Sequence, residues 1–165
     1  IFTDVEATCI SSEDDVTEAM QKTFLKSCIG LSNEMVGGAE RLREDTLEYV
    51  KMRMQFGRSI ASFQVTKHKA TDMLADVELA KSAAYYAAAA FDDGDSDIAA
   101  TASIAKASAS EAYMQTAINA VQMHGGIGFT WDNDTHLWFK RAKSSEVFLG
   151  TADFHRELMM QSWDQ

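Results

Sequence analysis

The chain has 165 residues, an apolar fraction of 46% and a formal net charge of −10, which suits one soluble domain with a real core and argues against a nucleic-acid surface. Proline is absent, so the commonest helix breaker is missing and an all-helical chain is favoured; no apolar run reaches membrane length and the start lacks the basic and apolar regions of a signal peptide. Cys9 and Cys28 have no metal-ligand spacing and are too few for a disulfide scaffold, so no metal site is expected and both read as reduced thiols of a cytoplasmic protein.

Residues 1–15 read apart from the rest. Ile1 to Val5 has weak strand character, Ser11 to Asp15 is a polar break, and the chain starts without Met. The segment is expected to be a linker or the remnant of a missing upstream domain, with the helical domain over 16–165. A first helix is predicted from about Val16 to Met52, capped by Asp14 or Asp15. Phe24, Cys28, Leu31, Met35, Gly38, Leu42 and Tyr49 form its near-heptad stripe. Gly37-Gly38 within it costs helix stability and marks a close helix crossing.

A second helix is predicted from about Ser62 to Phe91, with Ala70, Met73, Leu74, Val77, Ala80 and Ala84 facing inward. Asp92-Asp93-Gly94-Asp95 is a stop and restart. The third helix, about Ser96 to Met123, carries Ile98, Ala102, Ala105, Ala109, Ala112, Thr116 and Ala120 on one seam of small residues, which permits short interhelix distances. A fourth helix, Thr135 to Val147, is capped by Asp132 or Asp134. A last one, Ala152 to about Ser162, is capped by Thr151 after the Gly150 break. Trp131, Trp138, Phe139 and Phe148 read as core and interface packing. The expected fold is all-α: an up-down-up-down four-helix bundle with a short extra C-terminal helix.

The joint between the first two helices, Arg53-Met54-Gln55-Phe56-Gly57-Arg58-Ser59-Ile60-Ala61-Ser62-Phe63-Gln64, is unusual for a turn. It offers a guanidinium fork suited to phosphate, two amides that donate and accept, and two Phe rings. Gly57 is expected to relieve the backbone where the first helix stops. By itself the stretch also fits a capped and plugged bundle end. A second loop, Gln122-Met123-His124-Gly125-Gly126-Ile127-Gly128, has three glycines in four residues, which excludes regular helix and lets a ligand approach the backbone. It is no dinucleotide fingerprint, because no strand precedes it.

These two stretches and the pair Gly150-Thr151, in this order and spacing, resemble the C-terminal domain of acyl-CoA dehydrogenases, over roughly Met20 to Trp163. The resemblance implies a part in the α,β-dehydrogenation of an acyl-CoA thioester, FAD as cofactor, and a homo- or hetero-oligomer, dimer or tetramer. By position, it places Arg53 and Gln55 at the FAD pyrophosphate and Phe56, Phe63 and Gln64 along the same cofactor. Gln122, His124, Gly125 and Gly126 then approach the adenosine end from a neighbouring subunit, and Thr151 meets FAD at the start of the last helix. Asp153 stands where many members have Gln and cannot donate a hydrogen bond.

The departure concerns the catalytic base. The resemblance implies a Glu immediately before Gly-Thr, where this chain has Leu149, or one on the first helix near Ser27. Glu34, two turns beyond Ser27, is a weak candidate for a relocated base, and Glu146 is expected to face elsewhere. No catalytic residue is named. Two classes of function follow: part of an active dehydrogenase, or a non-catalytic family subunit that completes the FAD site of an active partner.

Overall fold

The computed structural model describes residues 3–8, 11 and 13–163. They form α1 (Glu13–Met52), a hairpin of β1 (Met54–Gln55) and β2 (Arg58–Ser59), α2 (Gln64–Asp93), α3 (Ile98–His124), α4 (Thr135–Val147) and α5 (Ala152–Trp163). This is the expected up-down-up-down bundle with a short fifth helix. α3 is its central element and packs against all four other helices. The reason is the small-residue seam. Ala102, Ala105, Ala109, Ala112, Thr116 and Ala120 are all buried, while Ile98 is partly so. Short side chains let several neighbours approach one axis.

The main core joins Leu31, Met35 and Leu42 of α1 to Val77, Ala80 and Ala84 of α2, to the α3 seam, and to Ala142 of α4. Each such large apolar side chain contributes roughly 1.5–3 kcal/mol by leaving water. A Cβ on Gly38 would stand 2.8 Å from the Tyr113 ring, whereas one on Gly37 meets nothing. The expected close crossing therefore rests on Gly38 alone. Leu74, expected inward, is exposed. Trp138 and Phe139 pack against the core, but Trp131 and Phe148 lie on the surface at 83% and 61% exposure.

Several boundaries differ from expectation for local reasons. α1 runs from Glu13; the capping expected of Asp14 or Asp15 lies outside the described side chains. Among residues 3–8 no strand forms. Ile1, Phe2, Cys9, Ile10 and Ser12 are outside the described residues. α2 begins at Gln64 because Ile60–Ser62 form a 3-10 turn and Phe63 is extended (φ −78°, ψ 140°). α3 starts at Ile98, since Gly94 (φ 69°) ends α2 and the Asp95 carboxylate accepts the Asp97 N–H at 2.9 Å. α4 is started by Asn133, whose Oδ1 accepts the Thr135 N–H at 2.9 Å, and neither Asp132 nor Asp134 makes that bond. Thr151 does cap α5, accepting the Phe154 N–H at 3.4 Å.

Candidate functional site

α1 ends at Met52, and its last carbonyls need partners. The Ser59 hydroxyl lies 2.8 Å from Val50 O and 2.9 Å from Lys51 O, and Ile60 N–H donates to Arg53 O at 2.9 Å. The chain is thereby folded back as β1–β2, with Gln55 opposite Arg58. Gly57 serves the hairpin turn and not the helix stop: both turn residues are left-handed, Phe56 at φ 54° and Gly57 at φ 76°. At the same end of the molecule α3 stops at His124, and Gly125 turns the backbone at φ 68°, ψ −146°. The two stops lie side by side and together line a cleft of about 550 Å³.

Arg53 and Gln55 line this cleft together with Gln122, His124, Gly125 and Gly126. The expectation that the two sets reach a ligand from opposite sides of a subunit interface does not fit this geometry, because both belong to one wall of one chain. Tyr49, Ile60, Met123 and Ile127 complete the lining. Tyr49 reads as a core position in the α1 stripe, and its role here appears only in three dimensions. Its ring stacks on His124 with centroids 4.2 Å apart, and its hydroxyl donates to His124 O at 3.4 Å.

The electrostatics of the cleft are lopsided. Arg53 is exposed and, among the described residues, forms no ion pair and is the one charged side chain of the lining. The carboxyl ends of α1 and α3 both point here, and their dipoles disfavour an anion. Arg53 must therefore supply the attraction. His124 Nδ1 stands 2.8 Å from Ala120 O, so that nitrogen carries the proton. Burial lowers the pKa of the ring, which keeps it neutral with Nε2 as an acceptor. Such a ring suits a ligand hydroxyl or amino group and not a phosphate. A Cβ at Gly125 or Gly126 would meet nothing within 4 Å, so the backbone there is bare toward open space.

The remaining candidates lie elsewhere. Phe56, 91% exposed, meets Phe63 edge-on at 6.2 Å, and Arg58 stacks over Phe63 at 4.0 Å. This aromatic patch does not line the cleft, nor does Gln64, whose amide pairs with His68 at 3.0 Å. Thr151 and Asp153 sit at the start of α5, beside Gly150, whose carbonyl is held by Lys106. Lys106 lies about 27 Å before His124 along α3 at 1.5 Å per residue. Asp153 is exposed, within 3.3 Å of Arg156 on its own helix, and its charge opposes the anion that a helix N-terminus attracts.

The base candidates are all unpromising. Leu149 is half-buried against the core and has φ 60°. Ser27 is exposed. Glu34 is exposed and accepts from Arg141 Nε at 2.9 Å, while the Glu146 carboxylate pairs with Lys143. Both carboxylates are thus committed to surface ion pairs.

The family model described as "Acyl-CoA dehydrogenase, C-terminal domain" matches residues 17–163. The chain is 37% identical over 139 residues to acyl-CoA dehydrogenase IpdE2 of Mycobacterium tuberculosis, covering 84% of this chain and 42% of that protein. It is 32% identical over 151 residues to an acyl-CoA dehydrogenase of Bacillus subtilis, covering 92% and 40%. Butyryl-CoA dehydrogenase from Megasphaera elsdenii superposes with a TM-score of 0.82 at 29% identity, over 87% of this chain and 37% of that one. The chain spans about two fifths of the length of these relatives. The hairpin and the glycine loop lie within the region that the family model matches, and that match over residues 17–163 shows that the chain belongs to the acyl-CoA dehydrogenase family, as its helical C-terminal domain.

Proposed function

We propose that the complete protein is a flavin-dependent acyl-CoA dehydrogenase that oxidises the α,β bond of an acyl-CoA thioester, and that this chain supplies cofactor contacts and a subunit interface. The observation that carries the reading is the convergence of Arg53, Gln55, Gln122, Gly125 and Gly126 on one cleft. The donors present fit a dinucleotide: an uncommitted guanidinium for a phosphate, amides for a ribose or base edge, and bare glycine backbone for close approach. FAD, when bound, supplies the hydride acceptor. Arg53 binds a phosphate oxygen, the amides orient the nucleotide, and Thr151 contributes from the start of α5, where backbone N–H groups point outward.

The cleft and Thr151 are too far apart along α3 to touch one phosphate or one ring. The arrangement we propose therefore sets the cofactor between two subunits, the cleft coming from one and Thr151 from the other. No helix among the described residues is long and apolar enough to cross a membrane, and we place the reaction in the cytoplasm.

A second reading is favoured by one specific observation. Leu149 and Ser27 leave both expected base positions without a carboxylate, and Glu34 and Glu146 are tied up in ion pairs. In this reading the chain belongs to a non-catalytic subunit that completes the FAD site of an active partner. Both readings share the cofactor test. In the complete protein, Arg53→Ala removes a charge-assisted phosphate contact of roughly 1.5–3 kcal/mol, so FAD should bind about ten- to a hundredfold more weakly. Unchanged flavin content after gel filtration of that variant removes Arg53 from the site.

A further inference from the structure

The turn between α4 and α5 is held by two buried basic side chains that grip successive carbonyls. Lys106 Nζ lies 3.0 Å from Gly150 O, and His155 Nε2 lies 2.9 Å from Leu149 O. Lys106 is wholly buried on α3. Its three protons are matched by three neutral oxygens: Gly150 O, Glu146 O at 3.3 Å and Ser110 Oγ at 3.0 Å. It makes no ion pair among the described residues. Burial lowers its pKa. A buried ammonium is a poor way to gain stability, because an apolar side chain of similar volume is often as good or better. What a methionine there cannot do is hold the last turn of α4 and Gly150 of the α4–α5 turn to one point on α3.

That turn is strained and tightly fitted. Leu149 and Gly150 are both at positive φ, 60° and 105°. A Cβ on Gly150 would stand 2.3 Å from the Phe154 ring and 3.2 Å from His155 Nε2. A bulky residue in the left-handed region persists only where its surroundings enforce it. The next residue is Thr151, whose side chain starts α5.

We propose that Lys106 is a positioning residue: together with His155 it clamps the Leu149–Gly150–Thr151 turn and fixes where Thr151 and residue 149 stand toward a bound flavin. The part concerning flavin rests on the cofactor reading above. The clamp itself does not, and its test separates the two. Lys106→Met removes the clamp at nearly constant volume; Lys106→Gln keeps a neutral donor and guards against a Met variant that fails to fold.

The measurement is amide-resolved hydrogen exchange on the complete protein, stripped of flavin and then loaded with FAD. The amides to follow are those that close the turn: Phe148, Gly150, Phe154 and His155. The expected result is at least tenfold faster exchange at these four in the Met variant, a smaller change in the Gln variant, and unchanged protection in the middle of α1 and α2. In the loaded protein the flavin reduction potential should shift in the same order, Met more than Gln. Equal acceleration across all helices, or no change at the turn in a folded variant, overturns the proposal. Altered exchange at the turn with no FAD bound by any form supports the clamp and counts against the cofactor reading instead.

Discussion

At the level of single residues, what decides a role here is what covers the side chain. Arg53, Gln55, Gln122 and the Gly125-Gly126 pair are legible because their residue types are odd for a helix joint and their motifs are local. Lys106 is not. It sits in Ile104-Ala105-Lys106-Ala107, and nothing nearby in sequence says that the distant α4–α5 turn will close over it. His155 is hidden the same way, buried by Phe24 on one face and Phe154 on its edge. These two kinds of burial have a consequence for pH. His124 and His155 are both buried, and desolvation lowers both pKa values below the ordinary 6.5. The unfolded chain then takes up protons near pH 6.5 while the folded one resists to lower pH. With more protons on the unfolded state, stability falls as pH drops through this window and levels off below the folded pKa values. Thermal melts between pH 7.5 and 5 should show this loss, and His124→Asn and His155→Asn should each flatten the slope whatever they do to the absolute melting temperature. A double variant with the wild-type slope would show that other groups set it.

At the level of elements, long amphipathic stretches gave reliable helices, and the ends moved by only a few residues. The ends moved where a side chain or a turn captured the backbone first, as Asn133 does before α4 and the 3-10 turn does before α2. The β1–β2 hairpin was not legible. A two-residue turn with both residues left-handed calls for Asn-Gly or Asp-Gly, and here the pair is Phe56-Gly57. A fully exposed Phe in the left-handed region costs about 1–2 kcal/mol with no burial to offset it, which points to retention for contact with something outside the chain. Phe56→Asn should therefore stabilise the protein by about 1 kcal/mol, raising the melting temperature by about 2–4 °C for a domain of this size. On the family resemblance, which lays Phe56 along the cofactor, the same variant should also lose flavin affinity, although Phe56 does not line the cleft. A melting temperature that stays level or falls would mean the Phe56–Phe63 contact outweighs the backbone strain, and undiminished flavin binding would free Phe56 from the site.

At the level of the whole molecule, periodicity alone yields four antiparallel helices, and the residues of α3 explain which one is central. What periodicity cannot supply is the partner surface. Leu79, Tyr85, Tyr86, Phe129 and Trp131 are each 60% exposed or more, and large exposed apolar side chains favour association when a partner covers them. An assembly in which subunits share one cofactor allows one of them to lack the base. Proton abstraction from a carbon acid needs a carboxylate held within hydrogen-bond reach. Leu149 stands at the expected position, half-buried on a clamped turn, and no aliphatic side chain accepts a proton. On the second reading, the complete protein, assayed alone by flavin bleaching with a panel of acyl-CoAs, should be inactive or weakly active, whereas bleaching by the unaltered protein supports the first. Glu34→Gln should change nothing, because that carboxylate is exposed and paired with Arg141. Leu149→Glu should introduce bleaching, since the turn already holds residue 149 in place and Glu adopts the same backbone at a similar cost. Wild-type bleaching that vanishes in Glu34→Gln would make Glu34 the base after all. Bleaching absent even in Leu149→Glu, with flavin bound, would put the proton acceptor outside this chain and favour the subunit that completes a partner's site.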